Sequence, residues 1–206
     1  MIRVLIHYTT NWDKVAEITI PVLEMYCGKH GYYQSVYRHT PYEFYTGREK
    51  INQILEVCED GDIALVLDAD TIITNPKIKV EDFINDEQDF YITNHVGKVN
   101  SGVFIVRMSM WSRTFLDYIL TVIDRETVYC EQDAIMKYIN SFTPDKKMCI
   151  LPHPSINSLM YNLYSEHGDI RSEEDGNWKP NHFLLHLPGI GMEKRAEILK
   201  QVKDTL

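Results

Sequence analysis

The chain has 206 residues, of which 44% are hydrophobic and 25% charged, a globular composition that excludes collagen-like, low-complexity and wholly disordered classes. With 21 Lys and Arg against 30 Asp and Glu, the formal net charge is −9. Such a chain has no field to attract nucleic acid, and a phosphorylated ligand needs its charge offset locally, by a metal ion or a few placed cations. No apolar run approaches the roughly 20 residues of a membrane span, and the start, Met1 to Thr10, is too short for a signal peptide; the expectation is a soluble, cytoplasmic protein with no membrane span. Cys27, Cys58, Cys130 and Cys149 form no C-x-x-C pair and read as reduced, mostly buried thiols.

Ile2 to Tyr8 is apolar and β-branched and reads as a first strand, broken at Thr9-Thr10-Asn11 before a helix. Val15, Ile18, Val22 and Met25 recur at three- and four-residue steps, predicting a helix that Pro21 kinks and Gly28 stops. Tyr32 to Arg38 reads as a second strand, Phe44 to Cys58 as a second helix and Asp60-Gly61 as a turn. Ile63 to Leu67 is continuously apolar, the pattern of a central strand covered by helices on both faces of a largely parallel sheet. Phe90 to Thr93 and Val103 to Val106 add strands, Met110 to Ile123 and Gln132 to Ile139 helices, and Met148 to Leu151 a late strand. His153 to Lys179 has no clear period and reads as a long loop or lid, with Trp178 as its candidate acceptor contact. Phe183 to Leu187 is a short strand, and an amphipathic helix runs from Gly191. The alternation predicts one α/β domain over residues 1–206, Rossmann-like, with a mostly parallel central sheet flanked by helices.

Asp68-Ala69-Asp70 immediately follows the apolar strand. Two acids one residue apart at a strand end turn toward one cation if the backbone bends there. Hard divalent ions take such carboxylate oxygens and share their remaining positions with a substrate's phosphates. Ligands of open α/β sheets also bind at the carboxyl ends of strands, where this pair lies.

Leu65-Val66-Leu67-Asp68-Ala69-Asp70 followed by Asn75-Pro76 resembles the D-x-D segment of GT-A-fold glycosyltransferases, enzymes that use nucleotide diphosphate sugars. Asn100-Ser101-Gly102-Val103 resembles their N-x-G-V strand near the donor sugar, Glu131-Gln132-Asp133-Ala134 their acid-Gln-Asp segment, and His186-Leu187-Pro188-Gly189 their late His-x-x-Gly, all in the same order. The most similar groups are the galactosyltransferase and glycogenin-like ones, and the compact form resembles glycosyltransferase domains of large chlorella viruses.

The resemblance implies a transferase that moves a sugar from a nucleotide diphosphate donor, a UDP-sugar such as UDP-glucose or UDP-galactose, to a hydroxyl of a glycan acceptor. The chain is then a whole enzyme or one domain of a larger glycosyltransferase. Asp68, Asp70 and His186 would hold Mn²⁺ or Mg²⁺, the imidazole suiting Mn²⁺ better. Tyr8, Thr9, Thr10, Arg48, Lys50 and Asp68 would surround the nucleotide, and Asn100, Ser101 and Gly102 the donor sugar. Glu131, Gln132 and Asp133 would serve catalysis: in an inverting transfer one acid would position the sugar and the other take the acceptor's proton, and in a retaining one, toward which the glycogenin-like segment tilts, Gln132 or Glu131 would sit beneath the anomeric carbon. Gly189 and a following cation would grip the diphosphate; the family's lysine position is Met192 here, so Lys194 or Arg195 takes that part. The residues by themselves also permit a core histidine at 186, helix-start acids at 131 and 133 and a solvated helix face at 48 and 50. Rival activities are a nucleotide-sugar hydrolase, a nucleotidyltransferase and a non-catalytic metal-dependent sugar-binding module. Tyr8 to Lys14 lacks the glycine-rich basic loop of nucleotidyltransferases.

Overall fold

A computed structural model describes residues 1–40, 46–95, 98–123, 130–142, 145–160 and 177–206. In chain order these form β1 (Ile2–Thr9), α1 (Asp13–His30), β2 (Tyr33–His39), α2 (Thr46–Val57), β3 (Ile63–Asp68), β4 (Thr71–Ile73), β5 (Phe90–His95) and β6 (Lys98–Arg107). They continue as α3 (Met110–Val122), α4 (Cys130–Phe142), β7 (Met148–Leu151), β8 (Ser158–Leu159), β9 (Leu184–His186) and α5 (Met192–Lys203).

Six strands make the central sheet in the order β2-β1-β3-β6-β5-β7. β1 pairs parallel with β2 and β3, and β5 with β7, while β6 runs antiparallel to both its neighbours. The continuous apolar run of β3 is explained by its two covered faces. Leu65 and Leu67 pack with Val4, Ile6 and residues of α1 and α5, whereas Ala64 and Val66 pack with Leu5, Phe104 and residues of α2, α3 and α4. Each fully buried Leu or Val contributes about 1.5–3 kcal/mol, so an alternating polar pattern could not occupy this position. The result is one mixed α/β domain with its sheet between two helical layers.

Helix α1 is unbroken at Pro21 and passes Gly28; it ends at Gly31, whose φ of 70° is the left-handed cap conformation that a Cβ disfavours. A second sheet, β4-β9-β8, is built from segments with weak sequence signals. β4 lies directly after the D-x-D, β9 is the inner part of the expected 183–187 strand, and β8 falls within the stretch read as loop. Residues 161–176 of that stretch lie outside the described residues. Half-buried Trp178 donates its indole N–H to Thr74 Oγ1 (3.1 Å) and its backbone N–H to Leu159. Cys27 and Cys58 are free and buried, and burial pushes their thiols up to about 12 and about 11. Among the described residues no helix is long and apolar enough to cross a membrane.

Candidate active site

At the carboxyl end of β3 the backbone bends. Thr71 Oγ1 donates to the Asp68 carbonyl (2.8 Å), and Thr19 of α1 donates to the Ala69 carbonyl (2.9 Å), tying the bend to the helix beneath it. β4 leaves this bend and pairs antiparallel with β9, Thr71 opposite His186, which sets the imidazole beside Asp70. Ligand atoms of Asp68, Asp70 and His186 consequently lie within 4.8 Å of one another. His186 is 1% exposed, and its Nε2, 3.4 Å from Asp70 Oδ1, has no hydrogen-bond partner among the described residues. An orphaned imidazole nitrogen facing two carboxylates is a donor set that suits a divalent cation. Strand β6 passes close against this group. A Cβ at Gly102 would lie 2.2 Å from His186 Cε1 and 2.9 Å from Asp68 Oδ2, so the trio occupies the space a side chain would need.

Two buried cations flank the carboxylates. Lys50 Nζ donates to Asp68 Oδ1 (2.6 Å), Glu131 Oε1 (2.8 Å) and the Ser101 carbonyl (3.3 Å). Burial alone would lower the Lys50 ammonium, but Asp68 and Glu131 outweigh it and the group is raised. Glu131, pushed up by burial, is held below the usual carboxylate range by Lys50. On the other side Arg195 Nε lies 3.1 Å from Asp70 Oδ2 and donates to the Leu187 carbonyl (2.8 Å). Burial pushes the Asp70 carboxyl up, yet His186 and Arg195 together hold it low. For Asp68 burial wins over Lys50, helped by the charge of Asp70, and the carboxyl is raised.

These groups wall a cavity of about 380 Å³ at the carboxyl ends of β1 and β3, the usual ligand position of an open α/β sheet. Solved structures that the chain resembles include glycosyltransferases. One is involved in the glycosylation of the major capsid of PBCV-1, with a TM-score of 0.71 over 97% of this chain and 98% of that one at 17% identity. The chain has the GT-A glycosyltransferase fold. GlyE of Streptococcus pneumoniae TIGR4 matches with a TM-score of 0.63 and 14% identity over 98% of this chain and 59% of its own. The galactosyltransferase LgtC, solved with donor and acceptor sugar analogs, matches with 0.60 and 13% over 100% and 96%. No protein-family model matches the sequence, and no curated protein matches it.

In this GT-A fold the four motif segments meet. The cavity is lined by Tyr8, Thr9, Lys50, Asp68, Asp70, Asn100, Ser101, Gly102, Glu131, Gln132, His186 and Gly189. The other expected residues lie elsewhere. Arg48 donates to the Leu120 carbonyl (2.9 Å), Lys194 is exposed and pairs with Glu197 (3.2 Å), and Thr10 and half-buried Asp133 do not line the cavity. Of the two cations considered for the diphosphate, Arg195 is the one in the wall.

His7, Trp12 and Asn157 are not singled out by any motif of the sequence. Trp12 lines the cavity and carries the Arg195 guanidinium 4.4 Å from its ring centroid; an aromatic immediately after the first strand was the available signal. Asn157, 1% exposed, joins Asn100 to His186 from a segment without periodicity, where no signal marked it.

Proposed function

We propose that this protein is a metal-dependent glycosyltransferase that moves a sugar from a nucleotide diphosphate sugar, a UDP-sugar such as UDP-glucose or UDP-galactose, to a hydroxyl of a glycan acceptor. The observation that carries this reading is the orphaned His186 Nε2 facing Asp68 and Asp70 in a cavity walled by buried Lys50 and Arg195. Its fold neighbours, among them a galactosyltransferase solved with donor and acceptor sugar analogs, support it.

Asp68, Asp70 and His186 would hold the cation, Mn²⁺ or Mg²⁺, which when bound supplies charge neutralisation to the donor's phosphates and to the departing nucleoside diphosphate. Arg195, fixed through Nε, keeps its Nη groups for a phosphate oxygen, a fork suited to that partner. Tyr8, Thr9 and Trp12 suit the nucleoside end, and Asn100 and Ser101 the sugar. Transfer forms the bond from the acceptor oxygen to the anomeric carbon as the bond to the diphosphate breaks. Glu131, ionised against Lys50, is a weak base and suits positioning the sugar and stabilising positive charge at the anomeric carbon. Gln132 accepts from the Ser101 N–H through Oε1 (3.3 Å), leaving its amide nitrogen for the sugar.

Calorimetric titration of UDP in Mn²⁺ and again in EDTA tests the site, and chromatography of UDP released from UDP-glucose and UDP-galactose tests turnover. Metal-dependent binding with release accelerated by a saccharide acceptor is expected. Release indifferent to every acceptor would make the protein a hydrolase, and binding without release a sugar-nucleotide binding module. No UDP binding in Mn²⁺ would overturn the reading.

A further inference from the structure

The backbone N–H of Gly102 can only donate a hydrogen bond, and the atom 3.0 Å from it is Asn100 Oδ1. That contact sets the amide of Asn100 with its oxygen inward. The same oxygen lies 2.8 Å from Asn157, so the Asn157 atom facing it must be the NH₂ group, Nδ2. Asn157 Oδ1 is thereby turned the other way, to 3.0 Å from His186 Nδ1. An amide oxygen only accepts, so Nδ1 must carry the proton. In the neutral ring the lone pair is then left on Nε2, the nitrogen facing Asp70 Oδ1 at 3.4 Å.

We propose that Asn157 is a positioning residue that locks His186 in its Nδ1–H tautomer, so that Nε2 is a cation ligand and not a hydrogen-bond donor to Asp70. The inference deepens the metal-site reading and rests on it for its functional meaning, although the proton placement stands on geometry alone. An Asp–His contact has two uses. With the proton on Nε2 it is a closed hydrogen bond; with the proton on Nδ1 it sets a lone pair against a carboxylate, an arrangement completed by a cation between them. The relay selects the second. Outer partners of this kind fix ring orientation as well as tautomer, and Asn157 and His186 are each 1% exposed, so little water competes for the contacts. The relay also joins the two sheets, since Asn100 and Gly102 belong to β6 whereas Asn157 adjoins β8 and His186 lies in β9.

The test is the ¹⁵N spectrum of His186 in the metal-free protein at alkaline pH, assigned by its loss in His186→Gln, followed by titration with Mn²⁺ alone read by electron paramagnetic resonance. Wild type should show Nδ1 protonated and Nε2 bare. Asn157→Asp loses the donor to Asn100 Oδ1 but keeps an oxygen that accepts from Nδ1–H, and should keep that tautomer. Asn157→Leu should move the proton toward Nε2 and weaken Mn²⁺ binding roughly 10- to 100-fold. A wild-type spectrum with the proton on Nε2 would overturn the proposal whether or not any variant folds. So would a folded Asn157→Leu variant with unchanged tautomer and Mn²⁺ affinity. The Nδ1–H tautomer in wild type without Mn²⁺ binding would uphold the relay and count against the metal site, which separates the two failures.

Discussion

Arg195 and Asp70 form an almost fully enclosed ion pair, 4% and 3% exposed, in which Nε lies 3.1 Å from Oδ2 while the guanidinium lies over Trp12. The guanidinium therefore offsets the charge of Asp70, and under the proposed function it would meet a phosphate of the donor. Replacing Arg195 with Met should lower UDP affinity in Mn²⁺ by about ten- to a hundredfold, the loss of one charged hydrogen-bonding group of about 1.5–3 kcal/mol. In EDTA the same variant should melt lower than wild type, because Asp70 loses a buried partner, and added Mn²⁺ should recover part of the difference. Arg195→Lys restores charge without the planar fork and should recover binding incompletely. Calorimetry and thermal melts read both effects, and an unchanged UDP affinity would remove Arg195 from the nucleotide site.

Gly102→Ala tests the close approach of β6 to the trio. The added Cβ meets His186 Cε1 at 2.2 Å, and the ring cannot readily retreat, because Asn157 holds Nδ1. A cost of about 1–3 kcal/mol in urea unfolding is expected, with at least tenfold weaker Mn²⁺ binding as the ligand atoms are spread, on the scale of a disturbed supporting contact. Wild-type Mn²⁺ affinity in this variant would show that the trio does not need the space.

Glu131 and Asp133 should separate. Glu131 lines the cavity and is bound by Lys50 and by Ser101 Oγ (3.1 Å), whereas Asp133 is outside the lining. Glu131→Gln keeps the shape but removes the charge proposed to face the donor sugar, and turnover should fall by roughly a hundredfold, as for a lost electrostatic contact in a closed site. Asp133→Asn should leave turnover little changed. The opposite ranking in steady-state kinetics would move the catalytic role to Asp133.

His7 predicts a pH dependence of stability. It stacks on His39 with ring centroids 4.6 Å apart. Burial first, then His39 and Lys50, lower its imidazole to about 4. The unfolded chain takes up the proton near 6.5 and the folded one only near 4, so this group's contribution is complete above pH 6.5 and declines as pH falls toward 4. The loss amounts to about 3 kcal/mol at most. Urea midpoints at pH 7 and 4.5 should therefore converge more closely in His7→Gln than in wild type. Equal declines in both would show that another group sets the acid limb.

The D-x-D, the N-x-G-V strand, the acid-Gln pair and the late histidine were legible because each is a short contiguous pattern tied to one strand end or helix start. β3 was legible for the same reason, since burial on both faces removes polar residues from every position. Helix α1 stops at Gly31, three residues beyond the Gly28 stop expected from its sequence. Both Gly28 and Gly31 permit an end, and the left-handed turn falls at Gly31, where the chain reverses toward β2. Arg195 was partly legible: with Ile198, Leu199 and Val202 it shares the buried stripe of α5, and Lys194 next to it points to solvent.

By itself the sequence determined the α/β alternation, the central strand and the residue types of the site proposed to bind phosphate and metal, because these depend on local spacing and burial. Only the tertiary structure decided which of those residues meet. Pairing of β4 with β9 sets His186 beside Asp70, docking of α2 under the sheet buries Lys50 between Asp68 and Glu131, and the contact of β6 with the segment before β8 brings Asn157 to His186. Each is a contact between residues far apart in the chain, set by strand register and helix packing, and neither leaves a periodic trace in the segments it joins.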